Sequence, residues 1–305
     1  MARTVSLPLR ITGVSDSQAT LLAPGGIDLE AVARHKQAGG SLSELPGAMA
    51  MPTPEAIDLV GADIVADATP SSPDDTPRAM ARADAAFRNG AALVICGKNA
   101  LAHAAPDWLL GKHRVGINAA LGGAGRQLVH ELDELRAGCT EVALCGNVTT
   151  AVIVQAIEQG ASIEAGIERA RALDMLEPDP SLDLEGIDAA VKLLGVAGAV
   201  FGSTEQASLS VAAVERDSIY SLDAGLVQDR ARRQATTRLV ARGNRQGQLS
   251  VRFEELPQTS PLARSPEEVA YQYELGNGSR LHLGRGVGYD LTAAAMVEDL
   301  LDLIR

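Results

Sequence analysis

Short apolar segments alternate with amphipathic ones along the first third of the chain. The apolar runs occupy residues 9–14, 62–68, 91–96 and 115–120. Helical spacing of apolar positions fills the stretches 29–37 and 77–88 and the region around Trp108. Strands of about five residues separated by helices predict a parallel sheet covered by helices. Ligands of such sheets bind beyond the carboxyl ends of the strands, where Asp16, Thr69 and Lys98 lie.

The pattern changes after about residue 126 from alternating strands and helices to a helical stretch followed by a strand-rich one. We predict helices over residues 127–135, 153–173, 188–197 and 291–304, with a strand over 141–144. Four alternating segments, 237–241, 248–253, 270–274 and 280–283, are typical of an antiparallel sheet with one face on helices. Gly276, Asn277 and Gly278 predict a hairpin turn between the last two strands.

The predicted fold class is therefore α/β, with a partial Rossmann-type parallel sheet domain and an α+β substrate and dimerisation domain. A chain of 305 residues is long enough for both. We expect a nucleotide-binding domain over residues 1–120 and a substrate-binding and dimerisation domain over 121–283. Residues 284–305 are expected to return to the first domain.

Composition and charge exclude several classes of function. The net charge is −12 with no concentrated basic patch, so we expect no nucleic-acid partner and no anionic-membrane partner. No apolar run reaches the roughly 18 residues of a membrane-spanning helix, and no signal-peptide core is present. Three cysteines in apolar segments, Cys96, Cys139 and Cys145, indicate reduced thiols and a cytoplasmic protein. The histidines show no metal-ligand spacing, so no metal site is predicted.

Residues 176–192, LEPDPSLDLEGIDAAVK, carry the strongest chemical signal. Asp188 and Lys192 are four positions apart on a predicted helix and therefore share one face. Glu177 precedes two prolines and is expected on a constrained loop at the rim of the same pocket. Two carboxylates and an amine suit a zwitterionic substrate whose oxygen gains or loses a proton. The alternative is a solvated surface ion pair.

A dinucleotide-binding sheet normally opens with a strand and a G-x-G-x-x-G turn, which this sequence does not contain. Only eight residues precede the first apolar run, and none is glycine. We expect either that the natural start lies upstream or that the sheet has closed around the gap. The glycine clusters at 122–125 and 284–288 are interpreted as loops that approach a ligand closely rather than as phosphate-binding turns.

Several segments from Leu9 onward resemble homoserine dehydrogenase, in its short form without a regulatory domain. The matching segments are GVSDS (13–17), DIVADATPSSPDDTPRA (63–79), VICGKNALA (94–102), EPDPSLDLEGIDAAVKL (177–193) and GRGVGYDLTAAAMVEDL (284–300). The fourth is the most specific, because its proline, acid, glycine and lysine spacings match without a gap. The implied reaction is reversible hydride transfer between NAD(P)H and aspartate semialdehyde, which gives homoserine.

The resemblance also implies residue roles. Lys192 would donate the proton to the aldehyde oxygen, with Asp188 beside it and Lys98 between nicotinamide ribose and substrate. Glu177, Asp188 and Thr149 would bind the small amino-acid substrate, Glu177 through its amino group. The residues that would bind NAD or NADP are Asp16, Ser17, Thr69, Lys98, Gly284, Gly286 and Gly288. The absence of an arginine after the second strand, at Ser17 and Gln18, favours NAD. A homodimer formed through the second domain is expected.

Two further segments depart from the family pattern. The usual NGTTN is NVTTA at 147–151, and the usual acid–x–x–x–GGG–x–Pro stretch begins at Asn118 and ends at Arg126. The second change makes sodium binding doubtful and adds a charge near the cleft. Three alternatives therefore stay open: a dehydrogenase of a related amino-acid aldehyde, an amino-acid binding protein that lost its cofactor, and a lyase that forms a Schiff base at Lys192 or Lys98.

Overall fold

The chain forms two compact units, which are described separately. The computed structural model describes residues 9–70, 75–110, 114–176, 180–202, 210–285 and 288–304. The first unit comprises Met1–Val65 and Pro77–Leu93, and the second comprises Ala66–Thr76 and Val94–Arg305. The domain bounds expected at residues 120 and 283 stay a prediction.

The described residues form a mixture of helices and strands throughout. The helices are α1 (Leu29–Gln37), α2 (Thr53–Val60), α3 (Thr76–Arg88), α4 (Lys98–Leu110), α5 (Gly125–His130), α6 (Leu132–Gly138), α7 (Val148–Glu158), α8 (Ile163–Ala172), α9 (Ser181–Leu184), α10 (Ile187–Phe201), α11 (Ala224–Arg232) and α12 (Tyr289–Leu303). The strands are β1 (Gly13–Ser15), β2 (Thr20–Leu22), β3 (Ala48–Met49), β4 (Ile64–Asp67), β5 (Ala92–Ile95), β6 (Val115–Gly116), β7 (Cys139–Cys145), β8 (Glu215–Arg216), β9 (Ala235–Asn244), β10 (Leu249–Pro257), β11 (Val269–Leu275) and β12 (Gly278–Gly284). None of the helices in these ranges is long and apolar enough to cross a membrane.

The first unit contains a small antiparallel sheet that the sequence did not predict. Strands β1, β2 and β3 lie in that order, and β1 pairs antiparallel with β2. We expected residues 9–14 to join the parallel sheet, and this was wrong. Asp16 accepts from the backbone N–H groups of Gln18 and Ala19, which closes a turn. The chain therefore folds back on β1 before α1 begins at its Asp28 cap.

A parallel sheet with the order β4-β5-β6 confirms that part of the fold class. The N–H of Ala92 donates to Asp63, and that of Cys96 donates to Asp67. The partners advance together along the chain, as parallel strands require. Strand β6 is shorter than the predicted 115–120, because the residues after Gly116 form a succession of turns. One of these turns brings the N–H of Gly123 to the carbonyl of Asn118.

The second unit is built on a six-stranded mixed sheet with the order β12-β11-β7-β9-β10-β8. All pairs are antiparallel except β10 with β8. The predicted hairpin is confirmed, since Leu275 pairs with Gly278 and leaves Gly276 and Asn277 as the turn. The predicted strand at 141–144 is longer, as β7, and lies between β11 and β9. Strand β8 was not predicted.

Helix α10 is the buried axis of the second unit. Gly186 precedes it in the left-handed conformation, with φ of 69°. Most of its side chains are buried, and it packs against both α4 and the sheet. A Cβ at Gly195 would lie 3.2 Å from Leu101 Cγ of α4, so the glycine permits this close approach. The packing fixes the start of α4 relative to the start of α10.

The helix predicted over residues 153–173 is wrong as a single helix. Helix α7 ends at Glu158 and α8 begins at Ile163. Gly160 between them has φ of 100°, and the Ser162 side chain accepts from Ala165 N to cap α8. The apolar spacing continues across the break because both helices pack into one core with Leu184 and Ile219.

Candidate functional site

Asp188 and Lys192 form a buried ion pair in the first turns of α10. Lys192 Nζ lies 2.8 Å from Asp188 Oδ2, and each side chain is only 11% exposed. The shared helix face expected from the sequence is therefore present, and the surface alternative is wrong for this pair. A carboxylate in the first helical turn is also favoured by the positive end of the helix dipole.

A second lysine occupies the other oxygen of the same carboxylate. Lys98, at the start of α4, places its Nζ 2.5 Å from Asp188 Oδ1. Burial raises the pKa of Asp188, but the charges of Lys192 and Lys98 outweigh it and hold that pKa well below its usual range. The structure thus brings the three residues predicted to be catalytic, Lys98, Asp188 and Lys192, into one cluster.

The loop after β7 supplies polar groups that the sequence analysis missed. Lys192 Nζ donates to the carbonyl of Gly146. Asn147 accepts from Thr150 N to cap α7, and its Nδ2 donates to Asp183 Oδ1 at 2.8 Å and to Asp188 Oδ2 at 3.4 Å. Asn147 therefore links the lysine-bound carboxylate to a second one.

Asp183 is that second carboxylate. Burial and the neighbouring charge of Asp188 raise the pKa of Asp183, while the hydrogen bond from Asn147 lowers it. Such a carboxyl gains stability in its charged form when a cation approaches. A signal for Asp183 existed, because it lies between Glu177 and Asp188 in the motif. No local pattern could have revealed the contact with Asn147, which crosses from one helix start to another.

Two predicted substrate residues have different outcomes. Thr149 is 8% exposed, and its hydroxyl donates to the carbonyl of Met175 at 3.2 Å. It therefore holds the segment that leads to the conserved-spacing motif at Leu176. Glu177 lies outside the described residues, so its position in the site stays a prediction.

Thr69 and its neighbours form a polar cluster at the end of β4. Asp67 is 8% exposed, and its Oδ1 accepts from Thr69 N at 3.0 Å and from Thr69 Oγ1 at 2.7 Å. The thiol of Cys96 donates to the carbonyl of Thr69 at 3.5 Å. Burial, followed by the charge of Asp67, raises the pKa of that thiol, which therefore stays protonated. Thr69 thus lies at the strand end where the sequence analysis expected it, held there by Asp67.

The two glycine clusters lie against each other. A Cβ at Gly284 would come within 2.2 Å of the carbonyl oxygen of Gly122 and 2.8 Å of Ala124 N. Gly288, at the start of α12, has φ of 85° and nothing within 4 Å of a Cβ built there. Backbone beside open space at a helix start fits the close approach of an anionic or planar group such as a nicotinamide nucleotide. Gly286 lies outside the described residues.

Asp16 and Ser17 belong to the first unit. Asp16 Oδ2 lies 2.9 Å from Lys36 Nζ. Burial raises the pKa of Asp16, but the bonds from Lys36 and from the N–H groups of Gln18 and Ala19 lower it further, to about 2. Asp16 is therefore a charged, preorganised acceptor after β1, which suits a hydroxyl-bearing ribose.

The stretch from Asn118 to Arg126 is tied to α12. Asn118 Nδ2 donates to Glu298 Oε2 at 2.8 Å, and its Oδ1 accepts from Arg126 N at 3.1 Å. Arg126, which the sequence analysis expected to add a charge near the cleft, forms an ion pair with Asp302 at 2.6 Å. Its charge is therefore compensated within this cluster.

Residues 128–301 match the family model for homoserine dehydrogenase. The chain belongs to the homoserine dehydrogenase family. The resemblance of the EPDPSLDLEGIDAAVKL segment is thereby confirmed.

Relatives and solved structures agree with this family. The chain is 25% identical to the homoserine dehydrogenase of Methanocaldococcus jannaschii, covering 96% of this chain and 88% of that protein. It is 28% identical to the NAD(+)-dependent homoserine dehydrogenase of Pseudomonas canavaninivorans, covering 97% and 86%. A putative homoserine dehydrogenase from Archaeoglobus fulgidus shares the fold with a TM-score of 0.80 at 24% identity, over 96% of this chain and 88% of that one. A hyperthermophilic archaeal homoserine dehydrogenase in complex with NADPH shares it with a TM-score of 0.76 at 22% identity, over 96% and 87%.

Proposed function

We propose that this homoserine dehydrogenase family member interconverts L-aspartate 4-semialdehyde and L-homoserine with NAD or NADP. The observation that carries the proposal is the buried carboxylate of Asp188 between the ammonium groups of Lys98 and Lys192. The two lysines bring one more positive charge than Asp188 neutralises. That surplus suits an oxygen that becomes negatively charged during reaction.

Lys192 is the proposed proton donor. Asp188 and the carbonyl of Gly146 each accept one of its N–H groups, which fixes the direction of the third. When bound, the nicotinamide supplies or accepts the hydride at the substrate carbon. The resulting oxygen charge would be neutralised by the proton of Lys192, and in homoserine oxidation the neutral amine would remove the hydroxyl proton. Lys98 would stabilise the same oxygen electrostatically.

The amino-acid end of the substrate would meet the carboxylates. We propose that Asp183 and Glu177 bind the substrate ammonium, because the raised pKa of Asp183 makes a cation at this position favourable. Thr149 would act by holding the segment before Glu177 through its bond to Met175. Asn147 orients both Asp183 and Asp188.

The cofactor residues are proposed in two groups. Asp16 and Ser17 would bind the adenosine ribose, with Asp16 preorganised by its turn. The groups proposed to lie along the nicotinamide half are Thr69, Lys98, Gly284, Gly286 and Gly288. The open backbone at Gly288 supports this assignment.

We further propose a cytoplasmic homodimer. The free cysteines Cys96, Cys139 and Cys145 support a reducing compartment. One face of the six-stranded sheet carries the small apolar cluster around Ala143 and Ala270 beside the partly exposed Arg242, which suits a subunit interface. Light scattering of the purified chain would give twice the chain mass for a dimer, and a chain mass of one would contradict it.

The function is tested with the purified chain, L-homoserine and either NAD⁺ or NADP⁺, by following formation of the reduced nucleotide. Turnover specific for homoserine is the expected result. Binding of homoserine without binding of either nucleotide would contradict the proposal and favour an amino-acid binding protein. Turnover of another amino-acid alcohol in preference to homoserine would instead assign the related aldehyde.

A further inference from the structure

Three buried polar atoms on one face of the sheet lack a hydrogen-bond partner among the described residues. They are Tyr271 Oη, Tyr273 Oη and His282 Nδ1. Tyr271 and Tyr273 are two positions apart on β11 and so face the same side, and His282 of β12 is the register partner of Tyr271. We name these three residues the tyrosine–histidine row. Buried polar groups are otherwise satisfied by protein or by ordered water, so three together indicate bound water.

One end of the tyrosine–histidine row reaches the proposed proton donor. A Cβ built on Gly146 would lie 3.1 Å from Tyr271 Oη and 3.4 Å from Lys192 Cδ. The Tyr271 phenol and the Lys192 side chain therefore flank the same glycine, whose carbonyl accepts from Lys192 Nζ. Tyr271 is completely buried, which places its hydroxyl behind the lysine rather than in the substrate space.

The other end reaches the surface. The rings of Tyr273 and His282 have centroids 4.6 Å apart. His282 Nε2 lies 3.1 Å from Glu131 Oε2, and the two side chains are 3% and 38% exposed. Glu131 occupies the break between α5 and α6, so its carboxylate lies where water can reach it.

The protonation states of the row suit proton passage. Burial raises the pKa of both phenols, with Asp188 adding to the effect at Tyr271, and Tyr271 and Cys139 adding to it at Tyr273. Burial also lowers the pKa of His282, against the effect of Glu131. In the neutral ring, Nε2 carries the hydrogen toward the carboxylate and Nδ1 is an acceptor toward the interior.

We propose that the tyrosine–histidine row, with water bound to it, conducts the proton between Lys192 and solvent at Glu131. The inference rests on the proposed function. Oxidation of one homoserine transfers a hydride to the nucleotide and leaves one hydroxyl proton on Lys192. That proton then passes to water beside Tyr271, on through Tyr273 to His282 Nδ1, while the Nε2 proton leaves to Glu131. Each phenol accepts one proton as it gives another, so neither has to ionise, and one proton is released per turnover.

The decisive variant is Tyr271→Phe, which removes one oxygen and keeps the ring. We expect kcat for homoserine oxidation to fall by about ten- to a hundredfold with KM nearly unchanged, because proton release then limits turnover. The solvent deuterium isotope effect on kcat should rise, and the effect of homoserine deuterated at its hydroxyl-bearing carbon should fall. A purely structural defect would not exchange the two isotope effects. Tyr220→Phe, at a side chain in the class of exposed residues (63%), is the matched control.

Tyr273→Phe and His282→Phe test the rest of the row and guard against a misfolded first variant. Each should show the same exchange of isotope effects, with KM again unchanged. Unaltered kcat and isotope effects in folded Tyr271→Phe or Tyr273→Phe, beside an active wild type, would overturn the relay alone. A folded wild type that fails to oxidise homoserine would overturn the proposed function and the relay with it.

Discussion

At the scale of single residues, the charge of Asp188 explains why this cluster can be buried. A buried carboxylate without partners is costly, but Asp188 has an ammonium on each oxygen. The helical spacing of Asp188 and Lys192 was predictable from the sequence alone, because periodicity places positions i and i+4 together. Lys98 came from family resemblance, and Asn147 and Asp183 were missed because their contacts join segments far apart in the chain.

Lys192→Met should remove turnover while the fold persists. The thioether keeps the packing of the lysine stem, and Asp188 retains Lys98 as a charge partner. We expect kcat to fall by about 10² to 10⁴ for loss of a general acid–base group, with a smaller change in KM. Steady-state kinetics measure it, and Arg171→Met on the exposed face of α8 is the control. Turnover equal to wild type would refute the role of Lys192.

Asp183→Asn should weaken substrate binding. The asparagine oxygen can still accept from Asn147, but the negative charge proposed to meet the substrate ammonium is lost. We expect KM for homoserine to rise about tenfold, equivalent to about 1.4 kcal/mol, with KM for the nucleotide unchanged. Asp229→Asn, on the surface of α11, should leave both values unchanged. An equal rise in both KM values would argue against a substrate ligand.

At the scale of elements, the sequence predicted types better than ends and pairings. The breaks at Gly160 and Glu131 divide apolar patterns that continue across them, so a periodicity argument joins what the chain separates. Strand β1 was assigned to the parallel sheet because its composition suits either sheet. Its actual partner, β2, is chosen by a turn at Asp16 that apolar patterning does not report.

The contact between the loops at Gly122 and Gly284 gives an element-scale prediction. Gly284→Ala would force its Cβ against the carbonyl of Gly122 and the backbone of Gly123, so one loop must move. We expect the free energy of unfolding to fall by about 1–3 kcal/mol, as overpacking does. Urea unfolding measures the change. Gly276→Ala, where a Cβ meets nothing within 4 Å, is the control and should change stability much less.

At the scale of the whole molecule, the sheet order of the second unit could not be predicted. Local patterning finds strands but does not say that β7 enters between β11 and β9. The same limit applies to α12, which was predicted as a helix. Its attachment to β6 through Asp299 depends on a contact with Asn118, far away in sequence.

Asp299 makes the stability of the chain depend on pH. It is 4% exposed, and burial, reinforced by Asp302 and Glu298, raises its pKa from 3.8 to about 7. Between about pH 4 and 7 the folded chain holds a proton that the unfolded chain has lost, so the free energy of unfolding falls as pH rises, by up to about 4 kcal/mol.

Asp299→Asn should remove that part of the pH dependence. The amide oxygen can still accept from Asn118 N, so the variant should unfold at higher urea concentration than wild type at pH 8, with little difference at pH 4. Asp302→Asn should behave oppositely, because the bond from Arg126 lowers the pKa of Asp302 and its charge therefore stabilises at neutral pH. Parallel stability curves for Asp299→Asn and wild type between these pH values would contradict the assignment.

The clasp between β6 and α12 also concerns the order in which the molecule is made. Asn118 N donates to Asp299, and Gly116 lies so close that a Cβ there would meet the Asp299 side chain at 2.4 Å. A ribosome translates β6 long before α12, so the carboxylate that completes this strand end does not yet exist when the strand emerges. The interval exposes a partly formed sheet edge to other nascent chains and to chaperones. Slow decoding before Tyr289 would lengthen that exposure and raise the fraction of chains lost to aggregation.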